Sequence, residues 1–141
     1  MEIRELFSEA EMQRNYPLIQ QLYPEVTQAD YEAMLGRFIA LGYRQAGLFD
    51  QDHCIGLIGF QHTMHFTCGD YIYIDDLVID EHHRSLGYAT KLLDWVENEA
   101  ENLGCKVILL DCFVENKQPQ RLYHRQGYSI LAYHFGKTKK T

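Results

Sequence analysis

Ile74-Asp75-Asp76-Leu77-Val78-Ile79-Asp80-Glu81-His82-His83-Arg84-Ser85-Leu86-Gly87-Tyr88-Ala89-Thr90 is the stretch on which the fold turns. Its first half closes a run, Tyr71 to Ile79, with apolar side chains at odd and even positions alike. Such a run predicts a strand in the middle of a sheet covered on both faces. Its second half opens a helix over 85–103, in which Ala89, Leu92, Leu93, Val96, Ala100 and Leu103 recur at helical spacing before Gly104 stops it. Residues 106–114, Lys-Val-Ile-Leu-Leu-Asp-Cys-Phe-Val, are then almost continuously apolar, as a buried parallel strand would be. Strand, helix and strand over this span predict a right-handed βαβ unit.

The linker inside that unit carries chemistry. Gly87 lets a backbone turn approach a ligand closely. The first turn of a helix leaves N–H groups that attract anions. Arg84 adds a fixed charge and a planar donor fork, and Ser85 and Thr90 add hydroxyls. Together these read as a pyrophosphate cradle. The plainer reading is a helix start with a surface arginine, because R-x-x-G-x-A alone arises by chance in roughly one in ten to twenty chains of this size. The dinucleotide fingerprint G-x-G-x-x-G is absent from this position.

Outward from the unit, residues 2–7 alternate polar and apolar and predict a first strand. Ser8-Glu9-Ala10-Glu11 is a capping box. Pro17 either kinks the helix that follows or restarts it with Asn15 as cap. Thr27-Gln28-Ala29-Asp30 opens a second helix with Tyr31, Met34, Leu35 and Phe38 on one stripe and Gly42 beyond its end. Residues 43–49 and 54–66, around Asp50-Gln51-Asp52-His53, predict a hairpin. A short helix over 117–126, Gly127 and a last strand over 128–135 complete the order. The expectation is a single α/β domain over 1–141. Its mixed central sheet is antiparallel in the N-terminal half, with a parallel βαβ crossover and helices on both faces.

A length of 141 residues suits one domain, and 46% hydrophobic with 23% charged residues is a globular balance. No stretch approaches the roughly 20 apolar residues of a membrane-spanning helix, and no signal peptide is visible at Met1-Glu2-Ile3-Arg4-Glu5. Thirteen Lys and Arg against twenty Asp and Glu give a charge of −7, so neither nucleic acid nor an anionic membrane is expected as a partner. The basic tail Lys137, Lys139, Lys140 reads as a solvated end. Cys54, Cys68, Cys105 and Cys112 have no C-x-x-C spacing and read as buried, reduced thiols of a cytoplasmic protein. His62 and His65 point to opposite faces of a strand and His82-His83 falls in a polar loop, so no metal site is expected.

Ile74 to Ala89 resembles the acetyl-CoA-binding segment of the GNAT (Gcn5-related) N-acetyltransferases, a strand followed by R/Q-x-x-G-x-G/A. Asn116-Lys-Gln-Pro-Gln-Arg-Leu-Tyr123-His-Arg-Gln-Gly127-Tyr128 is similar to the family's N-x₆-Y-x₃-G-[FY] segment, in the right order downstream. The resemblance implies a splay between the strands at 71–79 and 106–114. Pantetheine would pair with the backbone of Leu77, Val78 and Ile79. Pyrophosphate would rest on the N–H groups of Arg84, Ser85, Leu86, Gly87, Tyr88, Ala89 and Thr90. Asn116 would bond the pantetheine arm, a role compatible with capping a helix. Ala89 stands where the pattern allows a second glycine, and Pro119 falls in the first turn of its helix, where proline costs little.

The resemblance also implies catalytic roles. Tyr123 matches the tyrosine near the CoA sulfur, a general acid for the departing thiolate; the plainer reading is a core aromatic. Asp75 aligns with a strand glutamate that serves as base, acting here through a water because its side chain is a methylene shorter. Asp75 and Asp76 face opposite sides of a regular strand unless a bulge intervenes. A carboxylate satisfied by local donors is the other reading of Asp75. Asp111 and His134 read as hydrogen-bonded core residues or as the acceptor end.

The implied activity is acetyl transfer from acetyl-CoA, as co-substrate and without a metal, to a primary amine by direct attack. The alternatives are a non-catalytic CoA-binding regulatory module and a transferase using another acyl-CoA. Small amine, antibiotic, polyamine, peptide N-terminus and protein lysine stay open as acceptors. Glu25, Asp30 and Glu32 fit a cationic acceptor and a solvated helix start equally well. Only fourteen residues follow Gly127, too few for the family's two long C-terminal strands. One reading is that a neighbouring subunit of a homodimer supplies or covers the missing edge.

Overall fold

The structure, a computed structural model, describes residues 1–139. Lys140, part of the basic tail, lies outside the described residues. The chain divides into two compact units, Met1–Leu110 and Asp111–Thr141.

The first unit runs β1 (Glu2–Leu6), α1 (Glu9–Gln13), α2 (Tyr16–Leu22), α3 (Gln28–Ala40), β2 (Tyr43–Asp50), β3 (His53–His65), β4 (Gly69–Ile79), a 3-10 turn (Glu81–His83), α4 (Tyr88–Asn102) and β5 (Val107–Leu110). Its five strands lie in the order β1-β2-β3-β4-β5. The first three pairings are antiparallel and β4 pairs β5 in parallel, the mixed sheet that the sequence predicts. Local chemistry sets the helix starts. Ser8 Oγ accepts from the Glu11 N–H at 3.2 Å, and Thr27 Oγ1 accepts from the Asp30 N–H at 3.1 Å. The helix interrupted at Pro17 restarts with Asn15 as its cap.

Side-chain alternation gives the sheet two covered faces. One face, carrying Leu57 and Val78, packs with Met12, Leu18, Ile19 and Leu35 from α1, α2 and α3. The other carries Phe60, Ile72 and Ile74, and α4 lays Leu92, Leu93 and Val96 on it, all buried. There the Trp95 and Phe60 rings meet edge to face with centroids 5.9 Å apart. Each fully buried Leu, Ile or Phe stabilises this packing by about 1.5–3 kcal/mol before its entropy is counted. Arg44 clips three elements together. It bonds both carboxylate oxygens of Glu5 on β1 and one of Glu99 on α4, each at 2.7 Å.

Three boundaries differ from expectation. The strand predicted over 106–114 is only Val107–Leu110, because the β4 ladder to β5 ends at Ile74↔Leu110, where β4 itself is irregular. The helix predicted from 85 begins at Tyr88, because Ser85 (φ 65°) and Gly87 (φ 81°) are left-handed and cannot join an α-helix. The strand predicted over 128–135 is not formed among the described residues. Ile130, Leu131, Tyr133 and Phe135 are 73–90% exposed, and a strand needs a partner ladder to satisfy its backbone.

The second unit is built on α5 (Lys117–Arg125), which ends before Gly127 at φ 91°. The Gln120 Nε2 donates to the carbonyls of Phe113 at 3.1 Å and Val114 at 2.9 Å, tying the preceding loop to α5. The Tyr123 ring meets Tyr128 edge to face at 6.0 Å. Asp111 and His134 pair at 2.9 Å and are both exposed, so they are not core residues.

Candidate active site

The end of β4 is a strand with one open edge. Leu77, Val78 and Ile79 pair with Ile58, Leu57 and Gly56 of β3, but the ladder to β5 has already stopped at Ile74. Among the described residues the β5-side edge from Asp75 to Ile79 therefore has no strand partner, and it leads directly into the turn that starts α4. Ser85 and Gly87 in that turn are both left-handed, a backbone setting in which successive N–H groups can face an anion. The N-cap of α4 is Gly87, which has no side chain to make a capping bond, and the first amides of the helix lie at the positive end of its dipole. A side chain at Gly87 would point into open space. Arg84 donates from Nε to the Ile79 carbonyl at 3.1 Å. Leu86 projects outward, 60% exposed.

Asp80 anchors this turn. Its N–H donates to the Ile55 carbonyl at 2.8 Å. Its carboxylate accepts from Gln21 Nε2 at 2.9 Å and pairs with His83 Nδ1 at 2.8 Å. The Gln21 and His83 bonds hold it below the usual carboxylate range. Gln21 Oε1 in turn accepts from the Glu81 N–H at 2.9 Å, so α2 grips the turn from the side.

Between Ile74 and Asp76 the β3–β4 register slips: Phe60 faces Ile74, Gly59 faces Asp76, and Asp75 is the extra residue of a bulge. The slip changes which side the strand presents. Ile74 lies on the α4 face with Phe60, whereas Asp76 and Val78 turn to the α1–α3 face with Gly59 and Leu57. Asp75 stays on that second face with Gln61, whose Nε2 reaches both its oxygens at 3.0 and 3.2 Å. The adjacent carboxylates, which a regular strand would send to opposite sides, thus share one.

Their surroundings differ. Asp76, partly buried like Asp75, accepts from the Tyr43 hydroxyl at 2.7 Å and from the Tyr23 hydroxyl. Burial raises its pKa while those two bonds lower it. Asp75 is half-buried, and its pKa is pushed up to about 6 by desolvation, opposed by the Gln61 bond and assisted by the charge of Asp76. It is a carboxyl able to change protonation near neutral pH.

In the second unit Tyr123 lies half-buried on α5, its phenol pushed up to about 12 by burial and by Cys112 nearby. Asn116 occupies the N-cap position of α5, but its side chain makes no capping bond. The four cysteines are free; only Cys105 is fully buried, and Cys54, Cys68 and Cys112 are half-buried. Among the described residues no three His, Cys, Asp or Glu side chains converge on a metal-sized space, and no helix is long and apolar enough to cross a membrane.

Tyr23, Tyr43, Gln61 and Gly59 surround the two carboxylates, and sequence reasoning missed them. Two signals were present. Polar residues at 43 and 45 interrupt one face of an otherwise apolar strand, with Gln61 across from Tyr43 and Gly59 across from Gln45.

An open-edged strand thus feeds an amide-lined helix start inside a mixed α/β sheet of five strands. A sequence model of the acetyltransferase (GNAT) family matches residues 3–128, and the chain belongs to that family. It is 28% identical over 140 residues to the uncharacterized N-acetyltransferase YhdJ of Bacillus subtilis (strain 168), covering 96% of both chains. It is 27% identical over 115 residues to the aminoalkylphosphonate N-acetyltransferase of Salmonella typhimurium, covering 77% of this chain and 73% of that one. In structure it is similar to aminoglycoside N-acetyltransferase AAC(6')-Iy in complex with CoA, with TM-score 0.84, 18% identity, and 99% and 95% of the two chains covered.

Proposed function

We propose that residues 1–141 act as one N-acetyltransferase domain that moves the acetyl group of acetyl-CoA to the primary amine of a small molecule. The observation that carries this reading is the continuity of the open β4 edge with the turn at Arg84–Thr90 that starts α4. An extended amide-bearing arm suits the first, and a diphosphate suits the second. Acetyl-CoA supplies the activated thioester, and the chain supplies orientation, a base and an acid. Leu77, Val78 and Ile79 offer backbone groups to the pantetheine arm, and Asn116 offers its carboxamide. Arg84 and the amides of Ser85, Leu86, Gly87, Tyr88, Ala89 and Thr90 hold the pyrophosphate.

Asp75, through a water, takes the proton that the amine loses as its nitrogen bonds to the thioester carbon. The C–S bond then breaks, and Tyr123 gives its proton to the departing thiolate. The resemblance, not a measured distance, assigns Tyr123 this role. A phenol raised to about 12 stays protonated at neutral pH, as an acid must. The names of the relatives favour a small-molecule amine over a peptide or protein lysine. Four free cysteines suit a cytoplasmic location.

The test is thiol release from acetyl-CoA across a panel of amines, with longer acyl-CoAs as competitors. Acceptor-dependent release that falls roughly a hundredfold in Tyr123→Phe supports the reading. Tight CoA binding with no release for any amine would identify a regulatory module instead. Unchanged turnover in Tyr123→Phe would remove its role as acid.

A further inference from the structure

The bulge at Asp75 is held by a hydrogen-bond set that the transfer chemistry above does not use. Tyr23 ends α2, with its own N–H closing the last turn onto the Ile19 carbonyl at 2.8 Å. Its phenol is therefore fixed to a helix rather than to a loop tip. The Tyr23 hydroxyl donates to one Asp76 oxygen and has the Asp75 carbonyl as a second acceptor at 3.2 Å. The other Asp76 oxygen accepts from Tyr43 on β2 at 2.7 Å. Gln45 Nε2 donates to the Tyr43 and Tyr31 oxygens at 3.0 and 3.2 Å, which continues the set to α3. Gly59 leaves the room: a Cβ there would collide with the Tyr43 hydroxyl and the Asp76 carboxylate. A bulge releases ladder bonds and is free to migrate unless something outside the ladder pins it. Here the pin is a side chain from one helix on two consecutive residues.

We propose that Tyr23 and Asp76 are positioning residues for the acetyl transfer: together they lock the bulge, and so fix the Asp75 carboxylate and the open edge of β4 beyond it. The proposal rests on the reading of Asp75 as base. The groups facing Asp75 are Asp76 and Tyr73 from β4, Gln61 from β3 and Tyr23 from the end of α2, with Tyr43 and Tyr31 behind Asp76. Releasing the bulge would let Asp75 relax toward water and toward its ordinary acidity.

The experiment measures kcat, KM for acetyl-CoA and the acid limb of the pH profile for the parent, Tyr23→Phe, Asp76→Asn and Tyr16→Phe. Tyr16 lies on the same helix, and its hydroxyl donates to the Val26 carbonyl at 2.5 Å, away from the bulge. It reports what losing a tyrosine hydrogen bond on α2 costs by itself. Tyr23→Phe is expected to lower kcat about tenfold and to move the acid limb to lower pH. Asp76→Asn is expected to move the limb the same way. Tyr16→Phe is expected to lose comparable melting temperature with kcat and limb unchanged. Folded Tyr23→Phe with the parent's kcat and limb would overturn the proposal, as would a Tyr16→Phe that matches its losses. If Asp76→Asn fails to fold, Tyr23→Phe alone decides. Asp75→Asn separates the two readings. If the acid limb survives in it, Asp75 is not the base, while the comparison of Tyr23→Phe with Tyr16→Phe in kcat still judges the lock.

Discussion

At the scale of single residues, Gly59 shows how an absent methyl can shape a site. Its backbone dihedrals are ordinary, so the constraint is space alone, taken up by the Tyr43–Asp76 bond. Gly59→Ala should therefore push those partners apart and lower stability by about 1–3 kcal/mol, as overpacking does. Denaturant unfolding checks this, and a variant as stable as the parent would show that the bond can shift at no cost. Asp75 makes a prediction of opposite sense. Its folded pKa of about 6 lies above the ordinary 3.8. Both states hold the proton below pH ~4; as pH rises toward 6 the unfolded chain releases it first, and the fold loses stability. With the shift discounted for a half-exposed carboxyl, the loss is about 1 kcal/mol above pH 6. Asp75→Asn should thus melt about 3 °C higher than the parent at pH 8 and no higher at pH 4. A lower melting point at pH 8 would contradict the assignment. Arg84, Gly87 and Tyr123 stand out in the sequence as candidates because they repeat a family pattern. Tyr23, Tyr43 and Gln61 do not, because they meet Asp75 and Asp76 only through long-range packing.

At the scale of elements, the bulge and the start of α4 matter most. Apolar residues on both sides of β4 hide the slip at Asp75, because period-2 reasoning needs a polar face to detect a change of phase. The Asp75-Asp76 pair was the visible trace, and a bulge was the stated condition under which both could share a side. The helix start was misplaced by three residues for a related reason: a helical stripe shows where apolar positions recur, not where a left-handed residue breaks the backbone. Gly87 at φ 81° adopts a conformation that costs an L-residue about 1–2 kcal/mol, and a β-branched one more. Gly87→Val should distort the turn and raise KM for acetyl-CoA about tenfold, with the melting temperature showing that the fold survives. An unchanged KM would separate cofactor binding from this turn.

At the scale of the whole molecule, the order of elements was readable up to Leu110, because alternation, caps and turn residues agree there. Beyond it, apolar composition at 128–135 predicts a strand that one chain does not form. Ile130, Leu131, Tyr133 and Phe135 stay exposed, and they are the side chains a second copy would cover in the homodimer that the sequence reading raises. Light scattering at micromolar concentration should give twice the mass of one chain, and Tyr133→Asp together with Phe135→Asp should halve it. A monomeric parent would end that idea. The sheet itself has a consequence for how the protein is made. Its strands stand side by side in the order in which they are translated, so each new ladder forms against a neighbour that has already left the ribosome. Only the final, parallel ladder must wait for a helix to be synthesised between its two strands, which makes closure of β5 the natural last event in the birth of the domain.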